Sequence, residues 1–317
     1  MIVITGAAGF IGSNLAHRLK AEHDLLLVDH PLTATKAANF VGLKGFTFLE
    51  HDAFLQQLEA DRLRPDAIFH LGACSATTEM NWDYLRRNNV EYTQRLWTWC
   101  ATRERPFLYA SSAATYGDGA KGFDDRTPPT DLTPLNLYGK SKNDFDIWAL
   151  EQKLTPPRWA GLKFFNVFGP RESHKGRMAS VAFQTYKQIL ATGGMKLFRS
   201  GDPAYADGGQ LRDFVFVDDC VNHMLWLWKN PHPGGVFNSG TGQARSFFDL
   251  AKAVFVALGR EPNISFIDMP ADLAKQYQNY TQAETAKLRG VGCNVPATSL
   301  EDAVRKYVAW LEQTAKA

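Results

Sequence analysis

Apolar residues in the first half of the chain come as short unbroken runs, separated by segments of helical spacing. Ile2 to Ile4, Leu25 to Val28, Phe46 to Leu49, Asp66 to Leu71, Phe107 to Ala110 and Leu162 to Val167 read as strands. Runs without polar alternation predict strands buried on both faces, the habit of a parallel sheet. Between them lie AFLQQLEA, a long helical pattern from Trp82 to Thr102, and a helix opened by Tyr138. The stretch HPLTATKAANFVGLKG after Asp29 is polar and reads as loop. Strand and helix in alternation predict an α/β fold, a Rossmann-type doubly wound parallel sheet.

Beyond Val167 the pattern loosens. Glu172 to Phe183 reads as a loop feeding a helix through about Leu190, Lys196 to Arg199 as a strand, and Ser200 to Leu211 as a glycine-rich mobile loop. Arg212 to Asp219 is expected to return to the sheet and start a helix capped by Asp218. Val236 to Asn238 reads as a strand, with Gly240 to Gly242 as a turn. Helices are expected near Phe247 to Leu258, Leu273 to Tyr277, Ala283 to Arg289 and Leu300 to Ala315. Internal repeats and low-complexity tracts are absent from the sequence.

Composition narrows the function classes. The 317 residues are 45% hydrophobic and 21% charged, an ordinary globule long enough for a sizeable core. A net charge of +2 without a basic stripe predicts neither nucleic-acid nor membrane binding. No apolar stretch approaches the roughly 18 residues that a membrane span needs. The four cysteines are scattered with no metal-ligand spacing, and read as reduced thiols rather than a disulfide framework. The first strand begins at once, leaving no room for a signal peptide, so a cytoplasmic location is expected.

The chemistry starts at the first strand. Gly6, Gly9 and Gly12 follow it as GxxGxxG, then a helix, a second strand and Asp29. The first glycine permits a tight turn, the second a close approach of backbone to a pyrophosphate, the third close helix–strand packing. Helix N–H groups then face the anion, and Asp29 stands where it can accept the hydroxyls of an adenosine ribose. Asp52 is a candidate adenine contact or, alternatively, the N-cap of AFLQQLEA. The small residues Gly72, Ala73, Cys74 and Ser75 follow the fourth strand and allow a ligand to lie across the strand ends. These features assign residues 1–168 and 213–241 to a dinucleotide-binding domain, and 169–212 and 242–317 to a smaller, mostly C-terminal α/β substrate-binding domain.

Tyr138 and Lys142 lie four apart on one helical face, the YxxxK pair of the short-chain dehydrogenase/reductases, and Ser112 ends the fifth strand. A phenol of pKa ~10 is a poor base at neutral pH. A nearby ammonium and an oxidised nicotinamide favour its phenolate, and the serine hydroxyl holds the reacting oxygen. With SSAATYG, YGKSK, FFNVFGPRE and DFVFVDD, the chain resembles the extended members of that superfamily that act on nucleotide sugars. Within them, HLGACSATTE, RESHKGRMASVAF and YQNYTQAE make it similar, nearly end to end, to the ADP-glyceromanno-heptose 6-epimerases of lipopolysaccharide core precursor synthesis.

The resemblance implies inversion at C6 through a transient 6-ketone, with hydride passing to and from a tightly bound NADP. It implies Tyr138 and Lys175 as opposed acid/base groups, Lys142 anchoring the nicotinamide ribose and Ser112 polarising the oxygen. The residues alone read Lys175 as a surface lysine or a cation for the ADP phosphates. Cofactor contacts carry over to Phe10, Ile11, Asp29, His30, Lys36, Gly72 to Ser75, Asn88, Lys142 and Val167. Substrate contacts carry over to Asn166, Arg177, Gln184, Phe198, Arg199, Ser200, Gly201, Arg212 and Tyr277. A guanidinium at Arg212 suits a diphosphate, or else pairs with Asp213 or Asp219. The family further implies a homo-oligomer, a pentamer in its members. Arg177 replaces the family's small serine, Gln184 its frequent histidine and His30 its asparagine, while the 202–211 loop is longer. Asp29 alone favours NAD, with Lys36 compensating toward NADP. A hexose 4-epimerase is an alternative. A 4,6-dehydratase needs an acid pair where Ala113-Ala114-Thr115 stands, and a non-catalytic dinucleotide sensor would lose the tyrosine or lysine.

Overall fold

The computed structural model describes residues 1–270 and 278–316. The apolar runs become β1 (Ile2–Thr5), β2 (Leu25–Asp29), β3 (Thr47–Glu50), β4 (Ala67–His70), β5 (Phe107–Ser112) and β6 (Trp159–Phe164). Then follow β7 (Asn166–Phe168), β8 (Met195–Phe198), β9 (Leu211–Arg212), β10 (Phe214–Phe216), β11 (Gly235–Ser239), β12 (Arg245–Ser246) and β13 (Ile264–Ile267). Seven of these form one parallel sheet in the order β11-β6-β5-β4-β1-β2-β3. Strand order reverses between β1 and β4, and that switch point leaves a crevice at the carboxyl ends of the strands.

Alternate strand residues enter two cores. Ile2, Ile4, Leu25, Leu27 and Phe69 lie on one face, and Val3, Leu26, Val28, Ile68 and Phe107 on the other, all buried. Burial on both faces is why the runs carry no polar alternation. A third core gathers the helices Val181–Thr192, Phe247–Ala257 and Leu300–Lys316 with residues of β7, β8 and β10. Among the described residues no helix is long and apolar enough to cross a membrane.

Several elements differ from expectation. After β2 the chain is not all loop: Thr33 caps a short helix, Ala34–Ala37, which runs into a 3-10 turn at Ala38–Phe40 and buries Asn39 and Phe40. The long helix is α-helical over Trp82–Leu85 and Tyr92–Thr102, with a π-helical segment at Arg86–Glu91 between. The sixth run does not continue to Val167 as one strand. Phe165 donates its N–H to the Ser239 carbonyl, and Val167 turns back onto the Phe165 carbonyl. β7 thereby leaves the main sheet and pairs with β10, so Phe214–Phe216 does not return to that sheet either.

The helix Val217–Lys229 starts from Phe216 without a side-chain cap. Asp218 and Asp219 sit in its first turn, where they favour the dipole rather than cap it. The segment after Glu172 forms a 3-10 turn, Ser173–Met178, before Ser180 caps the helix Val181–Thr192. Asp207 and Asp202 tie down the glycine-rich 200–211 stretch by accepting the N–H groups of Ser200 and Ala204 at 3.0 and 2.9 Å. β13 pairs in parallel with β8 and was not expected. The expected helix from Leu273 to Tyr277 lies outside the described residues, and that near Ala283 begins at Ala286.

Candidate active site

The glycine turn is built by exclusion. Gly6 has φ +65°, and a Cβ there would lie 2.6 Å from the Leu71 carbonyl. A Cβ on Gly12 would lie 2.2 Å from the Gly6 oxygen, so only glycine lets the helix Phe10–Leu19 start flush against the turn. Gly9 takes the N-cap position without a capping side chain. The first N–H groups of that helix, which lack intrahelical partners, therefore stay available to an anion.

Asp29 closes β2 beside this turn. One carboxylate oxygen accepts Ala8 N–H at 2.9 Å; the other accepts His30 N–H at 2.9 Å and the Lys36 ammonium at 2.8 Å. The His30 and His51 rings lie 4.2 Å apart, and His51 stacks on Tyr92. Asn39 bridges the Ala8 carbonyl and His174 Nδ1 at 2.9 and 3.0 Å. Burial, reinforced by the Lys36 charge, holds His174 below its ordinary pKa.

Farther along the crevice, Asn136 caps the helix Leu137–Glu151 through Gly139 N–H at 2.8 Å, placing Tyr138 in the first turn and Lys142 one turn on. Lys142 donates to the Ala110 carbonyl at 2.9 Å. Burial pulls its pKa down to about 8 against the upward pull of the Asp146 carboxylate. Burial raises the Tyr138 phenol's pKa, and the Ser112 hydroxyl opposes the rise.

Behind this trio sits a buried polar cluster. Asp146 accepts the Tyr109 and Ser111 hydroxyls at 2.9 and 2.7 Å and lies 3.2 Å from the Lys163 ammonium. Lys163 also donates to Thr115 at 2.6 Å. One cluster thus ties β5, β6, the helix Leu137–Glu151 and the 3-10 turn Ala113–Tyr116 together.

Lys175 arrives from elsewhere. It lies on the 3-10 turn after β7, with Nζ 5.4 Å from the Phe10 ring centre. Burial lowers its pKa, and the Glu172 carboxylate resists that.

These elements enclose a cavity of about 730 Å³. Ser112, Tyr138, Lys142 and Lys175 line it. So do Gly6, Gly9, Phe10, Ile11, Gly12, Asp29, His30, Lys36, Gly72, Ala73, Cys74, Ser75, Asn88, Asn166 and Val167. Asp52 does not: Glu50 holds the N-cap position, the Asp52 side chain is 80% exposed, and its neighbour His51 faces the cavity instead.

Of the expected sugar-side residues, Arg177 is exposed, and Gln184 donates to the Gly176 carbonyl at 2.7 Å. The turn of Phe198, Arg199, Ser200 and Gly201 stands apart from the cavity, with Arg199 paired to Asp207 at 3.0 Å. Arg212 is buried, donates to the carbonyls of Leu211 and Gln278, and lies over the Phe247 ring. Asp213 serves the Thr241, Gly242 and Ala283 N–H groups, and Asp219 serves Thr298. Tyr277 lies outside the described residues. All four cysteines are free.

The residue-level reading missed His51, Tyr92 and His174 as cavity residues, and Asn89 as the support of Cys74. Asn89 accepts Cys74 N–H at 2.8 Å and donates to Cys74 O and Ser141 Oγ, fixing the 72–75 strand end against the Tyr138 helix. Its signal was a second asparagine in a helical pattern, on a π segment of the kind that marks functional sites.

Residues 2–240 match the model of the NAD dependent epimerase/dehydratase family. A protein of Nitratidesulfovibrio vulgaris named ADP-L-glycero-D-manno-heptose-6-epimerase is 48% identical over 313 residues, 97% of each chain. One of the same name from Fusobacterium nucleatum is 44% identical over 97% of each chain. Among solved structures, the Helicobacter pylori ADP-L-glycero-D-manno-heptose-6-epimerase superposes with TM-score 0.84 at 28% identity, covering 98% of this chain and 96% of that one. A Bacillus cereus UDP-glucuronic acid 4-epimerase variant, in complex with NAD and a fluorinated UDP-sugar, superposes with TM-score 0.79 at 25% identity over 99% of each chain.

Proposed function

The chain belongs to the NAD dependent epimerase/dehydratase family, and on that footing we propose that it is an isomerase inverting C6 of an ADP-linked heptose through a transient 6-ketone. The observation that carries the reading is the arrival of Tyr138 and Lys175 at one cavity from separate elements. Inversion requires a proton to be handled on either face of the sugar carbon, and one group cannot reach both.

The cavity fits a dinucleotide. Its glycine turn has no room for a Cβ at Gly12, and the uncapped helix start suits a pyrophosphate. When bound, the nicotinamide supplies the hydride acceptor and donor. Tyr138 holds the proton of the sugar oxygen on one side, and Ser112 orients that oxygen. The ammonium of Lys142, anchored on Ala110, favours the phenolate. Lys175, its pKa lowered by burial, exchanges the proton on the other side.

NADP is the favoured cofactor. Lys36 pairs with Asp29 at 2.8 Å, so a 2′-phosphate meets a neutralised rather than a bare carboxylate. Residues 1–168 and 213–241 are assigned to the cofactor, and 169–212 and 242–317, which build most of the third core, to the sugar. Elimination is disfavoured, because Ala113-Ala114 offers no acid and Thr115 is bound by Lys163.

Incubation with ADP-heptose of a single C6 configuration, followed by NMR, should show the C6 epimer, with no deuterium at C6 in heavy water. Lys175→Met should retain cofactor yet lose turnover. Unchanged substrate, or label at C6, would overturn the reading.

A further inference from the structure

Glu172 is completely buried in a segment that leaves β7 and enters the helix Val181–Thr192. Its carboxylate reaches both ends of that segment. One oxygen accepts Gly169 N–H at 3.2 Å and Ser180 Oγ–H at 2.7 Å; the other accepts Ser180 N–H at 2.5 Å. The backbone carbonyl of Glu172 also accepts Lys175 N–H at 2.9 Å, starting the turn on which the lysine sits.

The two anchor points are themselves fixed. Gly169 has φ +146°, and a Cβ there would lie 2.6 Å from Val217. Ser180 caps the following helix through Phe183 N–H. Between them Arg171 adopts φ +69° while its guanidinium donates to Asn14 Oδ1 at 2.9 Å. That bond ties the segment to the helix that begins at the glycine turn.

We propose that Glu172 is a positioning residue for the isomerisation, a carboxylate clasp that closes the 169–180 segment so that Lys175 stands over Phe10 inside the cavity. The inference rests on the reading of Lys175 as a proton-transfer group. A charged acceptor holding three donors makes bonds about twice as strong as neutral ones, and a misplacement of about 1 Å at a reacting group can lower a rate by about 100-fold. Glutamine cannot reproduce the clasp, because its amide nitrogen would face a donor. The titratable groups around Glu172 and Lys175 are His174 with Lys36 beyond it, and the neutral Tyr307 hydroxyl from the C-terminal helix.

The test compares Glu172→Gln, Ser180→Ala and Lys175→Met by kcat, KM for ADP-heptose, NADPH titration and the pH profile of kcat. Glu172→Gln should lower kcat by about 10- to 100-fold, with KM and NADPH affinity within about threefold of the parent. In the direction where Lys175 acts as ammonium, the alkaline limb should move to lower pH, since the charge that supports the ammonium is gone. Ser180→Ala retains that charge, so it should lower kcat by about threefold or more without moving the limb. An alkaline limb left in place in Glu172→Gln would mean that Glu172 does not act through Lys175, and would overturn the clasp.

Parental kcat in Glu172→Gln, beside a collapsed Lys175→Met, would overturn the clasp and leave the assignment of Lys175 standing. Turnover intact in Lys175→Met would overturn both. If Glu172→Gln does not fold, Ser180→Ala decides, and parental kcat there overturns the clasp.

Discussion

Replacing Lys163 with methionine should be the most damaging single change outside the cavity. The Lys163 and Asp146 side chains are 2% and 0% exposed and stand 3.2 Å apart. Methionine occupies much of the lysine stem's space, so the cavity contribution is small. What goes is the ammonium, leaving a buried carboxylate with the hydroxyls of Tyr109 and Ser111 and a Thr115 hydroxyl without its donor. Breaking a buried pair by removing one partner costs about 3–5 kcal/mol; two surviving hydroxyl donors hold the loss near the lower end, about 3 kcal/mol. Against a total stability of about 5–15 kcal/mol, that is a large fraction.

The complementary variant, Lys163→Met with Asp146→Asn, removes both charges and should recover about 2 kcal/mol of the loss. Urea unfolding followed by tryptophan fluorescence, compared at a common slope, measures both. A single variant within about 1 kcal/mol of the parent, or a double variant no more stable than the single, would refute the argument. Because Ser111 precedes Ser112 and Thr115 donates to the Ser112 carbonyl at 2.8 Å, kcat should fall with stability in the single variant and recover in part in the double.

Gly12→Ala sets a helix-propensity gain of about 1 kcal/mol against an overpacking cost of about 1–3 kcal/mol. With a Cβ 2.2 Å from a backbone oxygen, the clash wins, so NADPH titration should show affinity falling at least about tenfold, and parental affinity would contradict it. Lys36→Ala bares the Asp29 carboxylate, so the ratio of NADP to NAD affinity should drop by about tenfold or more; an unchanged ratio removes Lys36 from the choice. Burial pushes His70 down to about 3. Its folded value lies below its unfolded one, so the unfolded chain binds the extra proton and acidification below about pH 6.5 destabilises by about 1.4 kcal/mol per pH unit. His70→Gln should flatten that slope in thermal unfolding between pH 7.5 and 4.5, and parallel curves would refute the assignment.

The features legible in the sequence were those that depend on local period. Tyr138 and Lys142 are neighbours because a helix makes them so, and Ile2–Thr5 can only be a strand buried on both faces. The misreadings fall where a remote partner decides the outcome. FFNVF looks like one continuous strand, yet the Ser239 carbonyl captures Phe165 and turns Asn166–Phe168 out of the sheet. The helix after β3 begins at His51, and that small change in register sends His51 to the cavity and Asp52 to solvent. Lys175 was legible only through resemblance, since its position depends on a segment closed by Glu172. A usable signal was missed at Lys163: a charged residue inside an apolar strand announces a buried partner, and Asp146 stands one helical turn after Lys142.

The two groups proposed to carry protons are held in unlike ways, and that difference has an energetic consequence. Tyr138 rides a fifteen-residue helix clamped by the Asp146–Lys163 cluster, so its frame is part of what keeps the sheet assembled. Lys175 rides a six-residue 3-10 turn whose geometry depends on Glu172 together with the Arg171–Asn14 bond. Damage to the first frame must therefore appear in unfolding free energy and turnover together. Damage to the second is confined to a short surface-spanning segment and should appear mainly in turnover. The slope of activation free energy against unfolding free energy across variants thus reports which of the two groups a residue serves, even for positions that touch neither.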